Sequence, residues 1–320
     1  MRLAFIHGLA TALIMAAPAF ALSPAERSIR MVVPYAPGGG TDATIRVLAG
    51  PMGEILGQTI VVENRTGGAG TIGAAVVAQA RPDGLTLLAD PSAHALNHVL
   101  VRNLTFAYER DFAPIARLTV MPLILVVSSQ ERAPDLAAFV GSARAQSGRL
   151  SWSSAGIGTA SHLAGFLFVQ RAGISAIHAP YRGGSPGAQA VLAGDTAFNF
   201  ATAPSAIGLV QGGQLRALAV SSATRLSVLP DVPTVAEAAL PGYDLVEWIG
   251  LWAPAGTPAP LLERVQDAAA RTLAMPQIRA RLAVLGMEAG FQHRAEFAEF
   301  LGQQRTLLTR LASEAGLRPE

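Results

Sequence analysis

The 320-residue sequence has no cysteine. That excludes disulfides, thiolate catalysis and zinc–thiolate sites. Lysine is missing too, so arginine supplies the positive charge. Charge of either sign is scarce, at 14% of residues, and the formal net charge is only +2. So small an excess gives no stripe to follow a nucleic-acid backbone. No nucleic-acid motif and no paired-carboxylate arrangement stands out. After the first twenty or so residues there is no apolar run long enough to span a bilayer. What the chain has in quantity is apolar side chains, 51% of the total, and 32 glycines. It can bury a substantial core in one large or two ordinary domains, turned by tight loops.

The N-terminus reads as a secretory leader. Arg2 is a short positive region, Leu9 to Ala17 is an apolar stretch too short for a membrane span, and Ala19-Phe20-Ala21 is a small-x-small cleavage site. Residues 1–21 are therefore expected to be removed, leaving an exported, soluble protein that starts near Leu22. No cysteine follows the leader, which excludes lipid attachment there.

The mature chain is organised around Val32-Val33-Pro34-Tyr35-Ala36-Pro37-Gly38-Gly39-Gly40-Thr41-Asp42. Ile29 to Val33 reads as a buried strand. Three glycines follow, then Thr41 as a natural N-cap, then a helix from Ala43 to Leu56 with Ile45, Leu48, Met52 and Ile55 on one side. A strand feeding a helix N-terminus through glycine collects unpaired N–H groups that favour an anion. A plain tight connection is the competing reading.

The rhythm repeats. Thr59 to Val62 and Leu85 to Ala89 are strands, with an apolar helix, Ala74 to Ala80, between them. This β-loop-α order argues for a parallel sheet covered by helices. Gly68-Ala69-Gly70-Thr71-Ile72-Gly73 has the letters of a dinucleotide fingerprint, with Asp90 at a suitable distance. Five residues separate it from its strand, however, so close packing of helix on sheet is the better reading and no cofactor is expected. Ser92 and His94 follow the third strand, where open sheets place ligands. His94 and His98 are four apart, but Ala95 stands where a zinc protease needs glutamate, so no metal is expected.

Leu150 to Ser153 begins a second unit of the opening kind. Ser154-Ala155-Gly156-Ile157-Gly158-Thr159-Ala160-Ser161-His162 is its glycine- and hydroxyl-rich turn, and Leu163 to Ala172 is its helix. Ser154, Thr159 and Ser161 are neutral donors suited to an anion. Two such turns suggest two domains facing across a cleft. Further on, Gly183-Gly184-Ser185-Pro186-Gly187 spells a hydrolase elbow, and His293 is available as a base. Yet the residue after Ser185 must donate a backbone N–H, and Pro186 has none. Arg182 beside it is a candidate for a carboxylate or for an ion pair. Trp248 and Trp252 lie on a strand, Val246 to Ala253, and are expected in the core.

Several of these stretches occur together in one family. Pro34 to Asp42, Val61 to Arg65, Asp111 to Ile115, Ser161 to Ala164, Leu215 to Val220, Leu229 to Thr234 and Ala253 to Pro258 resemble the solute receptors of tripartite tricarboxylate transporters, the Bug-type receptors. The match covers nearly all the mature chain, in order. It implies an α/β, two-domain periplasmic binding protein fold of type II, each domain a mainly parallel sheet with flanking helices. Residues 22–125 and 247–320 would form one domain and 126–246 the other, with hinge strands near 123–128 and 246–253. A small organic acid would lie between the loops and pass to membrane transporter subunits. The expected contacts are Tyr35, Pro37, Gly38, Gly39, Gly40, Thr41 and Asp42 in the first loop. In the second they are Ser154, Gly156, Gly158, Thr159, Ala160, Ser161 and His162, with Ser92, His94, Tyr181, Arg182 and Thr202 at neighbouring strand ends. The chain departs from the family pattern at Ala197 and at Ala201-Thr202. The protein is expected to be a periplasmic monomer that makes and breaks no bonds. The rival is an exported serine hydrolase using Ser185 and His293.

Overall fold

The computed structural model describes residues 28–146, 148–314 and 316–317. The leader expected over residues 1–21 lies outside them. The elements run, in order, β1 (Ile29–Val33), α1 (Gly40–Leu56), β2 (Ile60–Asn64), α2 (Thr71–Ala78), β3 (Thr86–Pro91), α3 (Asn97–Leu100), β4 (Phe112–Ser128), α4 (Leu136–Ala145), β5 (Leu150–Ser154), α5 (Ala160–Arg171), β6 (Ala176–Pro180), α6 (Gly184–Ala193), β7 (Phe198–Thr202), α7 (Ala203–Gln211), β8 (Leu215–Val220), α8 (Val235–Ala238), β9 (Val246–Pro254), α9 (Ala259–Ala274), α10 (Pro276–Val284), β10 (Glu288–Gln292) and α11 (Arg294–Glu314).

Hydrogen bonding joins the strands in the order β2-β1-β3-β9-β4-β7-β5-β6, with β10 and β8 also on β4. The long strand β4 makes two sheets out of this path. Its residues 112–122 pair with β9, and residues 123–127 pair with β7. The chain passes from one sheet to the other between Pro122 and Leu123, and returns along β9.

The sequence led to mainly parallel sheets, and the observed sheets are mixed. Parallel pairing holds at the two outer flanks, β2-β1-β3 and β6-β5-β7. The middle strands run antiparallel: β3 with β9, β9 with β4, and β4 with β7, β8 and β10. Parallel neighbours come from local β-loop-α crossovers. The central strands instead meet because the chain threads out to the second sheet and back, so they approach from opposite directions.

Each sheet has its own core. On the first, α1, α9 and α10 cover Met31, Leu87, Leu118 and Leu251. On the second, Trp152, Phe168, Phe198 and Phe200 are central. A further cluster includes Trp248, Trp252, Phe297 and Leu163 and so joins the two halves. Both tryptophans of β9 are at most 2% exposed, core residues as the sequence indicated. The glycine-rich stretch that leads into α2 also does what packing required: a side chain on Gly73, in the first turn of that helix, would lie 2.7 Å from Pro34 Cβ.

Candidate ligand cleft

The first loop is built around Asp42. Helix α1 begins at Gly40 and its N-cap is Gly39, without a side-chain cap. Thr41, expected as the cap, is therefore inside the first turn. The helix thus starts at Gly40, three residues before the expected Ala43. Gly38 stands at φ +77, the left-handed region that glycine adopts without a Cβ penalty. Its N–H donates to Asp42 Oδ2 at 2.9 Å. The same carboxylate accepts from Arg46 Nε at 2.8 Å and from Asn64 Nδ2 at 3.0 Å. Burial alone would push the Asp42 carboxyl up; the Arg46 guanidinium and the Gly38 and Asn64 amides together hold it below its ordinary value. Asp42 braces the loop. Asn64 also donates to Tyr35 O at 2.9 Å, which ties the strand end to the same brace.

The second loop uses its hydroxyls on itself. Ser154 Oγ accepts from the Gly156 amide at 3.1 Å and meets His178 Nε2 at 2.7 Å. Thr159 caps α5: its Oγ1 accepts from the His162 amide at 3.3 Å and donates to Gly156 O at 2.7 Å. Ser161 Oγ accepts from the Ala155 amide at 3.2 Å, and His162 Nδ1 accepts from the Gly158 amide at 3.2 Å. His162 stacks on His178 at 4.2 Å between ring centres. Burial lowers the two imidazoles to about 3 and about 4, so both are neutral at physiological pH. The side chains of Ser154, Ser161 and His162 all accept from backbone amides of this loop and so shape it. The sequence shows which residues can donate, but not which neighbours already claim them.

The loops converge. Tyr35, Gly39, Gly40 and Thr41 line one small cavity with Ala155, Thr159, Gly184, Thr202, Pro91 and Glu247. Four helix N-termini meet there: α1 at Gly40, α5 behind the Thr159 cap, α6 at Gly184 and α7 behind Thr202. No arginine, lysine or histidine is among the lining residues. Aligned peptide dipoles and unpaired amides favour negative charge at such a point without a formal cation. A more open compartment adjoins it, sharing Tyr35 and Ala155 and adding Gly156, Tyr181 and Arg182. The two halves also touch directly. Ala36 N–H donates to Arg182 O at 3.0 Å. A Cβ on Gly38 would come within 2.9 Å of Ser185 Oγ.

Other expected contacts lie elsewhere. His94 is buried behind β3, with its ring stacked 3.9 Å from Trp252 and its Nδ1 3.0 Å from Asp90 Oδ2. The turn after β3 folds inward as a short 3-10 segment, which carries the imidazole into the aromatic core instead of the cleft. Ser92 is in the same segment; its amide donates to Glu247 at 2.9 Å. Pro37 and Gly38 are exposed at the rim. Gly158 packs against Asn97 and Leu100 at the junction of the halves. Ser185 sits in the first turn of α6, while His293 follows β10 in the other half, its ring against Phe291 and its N–H on Glu296. The hydrolase pair is thus on different elements of different halves. Among the described residues no cluster of acids and histidines fits a metal ion. Sequence reasoning missed Gly184 and Glu247 as cavity residues, along with Pro91 and Ala155. A strand–glycine–helix signal was present for the first, and a lone acid in an apolar strand for the second.

Two sheets joined by a crossing strand, with helix N-termini facing each other across a cleft, define a two-lobed solute-binding protein. Residues 44–317 match the family described as tripartite tricarboxylate transporter family receptor, and the chain belongs to that family. It is 34% identical over 245 residues to the protein BugT of Bordetella pertussis, covering 76% of this chain and 75% of that one. The fold is shared with the adipate-bound Rpa4515 protein of R. palustris at a TM-score of 0.89 and 28% identity, over 92% of this chain and 99% of the other. It is shared also with MatC of Rhodopseudomonas palustris, which holds malate, at a TM-score of 0.83 and 31% identity, over 89% and 98%. The family that the motifs resembled is the family found.

Proposed function

We propose that this protein is a periplasmic receptor that encloses one small organic acid between the loops at 38–42 and 154–162 and presents it to the membrane subunits of a tripartite transporter. The observation that carries this reading is the cavity where four helix N-termini meet and no cation lines the wall. Amides of Gly40 and Gly184 would bind the carboxylate, with Thr41 and Thr202 hydroxyls beside them. Tyr35, Tyr181 and Arg182 would close the outer side, and Asp42 would hold the first loop in shape. Residues up to the Pro122–Leu123 crossing, with β9 onward, would move as one lobe and the intervening chain as the other. The adipate and malate held by related proteins support a carboxylate as ligand. The protein acts alone as a monomer and changes no bond in its ligand.

Thermal unfolding with a panel of mono-, di- and tricarboxylates tests this. A ligand that binds only the folded state stabilises it by about 2.7 kcal/mol at a concentration 100-fold above Kd. At least one acid is expected to raise Tm in a saturable way. A flat response across the panel would contradict the proposal.

A further inference from the structure

A second cavity lies on the far side of β9 from the cleft. Successive side chains of a strand point to opposite faces. Glu247 lines the cleft cavity, while its neighbours Val246 and Trp248 line this one. Its volume is about 450 Å³, within the range of small-molecule sites. Its walls are mostly apolar and come from both halves: Val120, Phe300, Leu307 and Leu311 from the first, Leu167 and Leu245 from the second. Val246 and Leu307 are each 38% exposed, so apolar surface is left open to water in a concave place.

Two guanidinium groups are set into these walls. Arg117, on β4, is half-buried; its Nε donates to Gly290 O at 2.7 Å, and its head lies 4.6 Å over the Phe300 ring. Arg171 ends α5. Among the described residues neither pairs with an acid. The cavity also has two acids, and each has a partner of its own. Asp244 Oδ1 accepts from the Ala223 amide at 3.1 Å, and Glu314 Oε1 lies 3.8 Å from Arg310 Nε. Gln304 Oε1 accepts from Trp248 Nε1 at 3.2 Å, which leaves the Gln304 amide nitrogen as a further donor. Unanswered cations and a donor beside an apolar wall suit an anionic head on an apolar body.

We infer that this cavity is a second ligand site for a small amphipathic monocarboxylate, such as a medium-chain fatty acid, and that its occupation favours the closed arrangement of the halves. The carboxylate lies at Arg117 and the tail between α5 and α11. The link to closure rests on the receptor reading above; the site itself does not. The halves touch across the cleft, Ala36 N–H to Arg182 O, while the rear cavity stands open between them. Both faces turn on the same crossings of β4 and β9, so parting the loops in front brings α5 towards α11 behind. A ligand that props the rear cavity therefore binds the closed form better, and by linkage the cleft acid binds more tightly as well.

The probe is octanoate, titrated calorimetrically into the intact protein, with octanol as the same tail without the charge. Octanoate is expected to bind, and octanol to bind at least about tenfold more weakly. Arg117→Gln should weaken octanoate by a similar factor. Leu307→Trp, which fills the cavity from its exposed rim, should abolish it. Without octanoate, both variants should bind the tightest cleft acid of the panel as the unaltered protein does. With octanoate saturating, that acid should bind the unaltered protein about fivefold more tightly, and Leu307→Trp no more tightly than before. If Arg117→Gln does not fold, Leu307→Trp and the octanol comparison decide. No octanoate binding, octanol bound as tightly as octanoate, octanoate binding that Leu307→Trp leaves intact, or a cleft affinity that octanoate lowers or leaves unchanged would overturn the proposal. So would a dimer that Leu307→Trp separates, because a second copy would then cover the cavity. If no acid binds the cleft, the receptor reading fails, and the octanoate and octanol titrations decide the second site by themselves.

Discussion

At the scale of single residues, the cleft depends on side chains that touch no ligand. Asp42 is the clearest. Three hydrogen bonds end on its carboxylate, two of them from groups that fix the glycine loop and the end of β2. Hydrogen bonds to a charged group contribute about 1.5–3 kcal/mol each before competing losses. Asp42→Ala is therefore expected to destabilise the fold by about 2 kcal/mol in chemical denaturation, and to weaken acid binding because Gly38 loses its anchor. The pH dependence has a definite sign. The folded-state pKa lies below the unfolded value of about 3.9. The contribution is present above that value and is lost as pH falls through the folded pKa. The stability gap between the intact protein and Asp42→Ala should hold near neutrality and close under strongly acidic conditions. A gap that widens in acid would contradict the brace. Much of this scale was legible in advance: the glycines, Thr41 and Asp42 were all marked by the strand–turn–helix pattern. Their division of labour was not, because a sequence shows donors and acceptors without their partners. The sequence marks Ser154 and Ser161 as donors, and the fold adds that both also accept from amides of their own loop.

At the scale of elements, the second loop is aimed by the way α5 lies on β5. Gly165 sits at the closest approach, and a Cβ there would run into the Trp152 ring. The same ring stacks on His178, 4.2 Å away, and lies 5.8 Å from His162. Moving α5 outward would thus disturb the imidazole that receives the Gly158 amide. Gly165→Ala is expected to cost about 1–3 kcal/mol through overpacking, read as a lower denaturation midpoint with an unchanged slope. It should also weaken acid binding. No loss in midpoint would mean that the helix shifts freely and does not fix the loop. Elements formed by neighbouring stretches of chain were readable from periodicity and punctuation. The antiparallel middle of each sheet was not. It arises from β4, 17 residues long, serving both sheets, and nothing local in Phe112 to Ser128 marks Pro122 as the point where one partner is exchanged for another. For the same reason, the N-termini of α6 and α7 could be seen as helix starts but not as walls of a cavity with α1.

At the scale of the whole molecule, two halves meet over a small cavity and contact each other by backbone. The bond from Ala36 N–H to Arg182 O links the glycine loop after β1 to the turn before α6. Both turns carry glycines, so the strands can come this close, and both open on helix N-termini. A ligand carboxylate placed between them adds acceptors for amides of both halves at once. Binding and closure are then one event, and the ligand's differential affinity for the closed arrangement drives it. The family resemblance made this general plan legible in the sequence. The lone acid at the return crossing, Glu247, was invisible as a cavity residue until β9 and β3 were placed side by side.

The central claim is that the turns at 36–41 and 182–187 close together on a bound carboxylate. Amide hydrogen exchange, with and without the tightest-binding acid from the panel, measures this directly because protection reports local opening. The account predicts that both turns gain protection together, along with the first turn of α5, while the outer strands β2 and β6 stay as they were. Saturable acid binding with no change at either turn, or with protection confined to one of them, would contradict it.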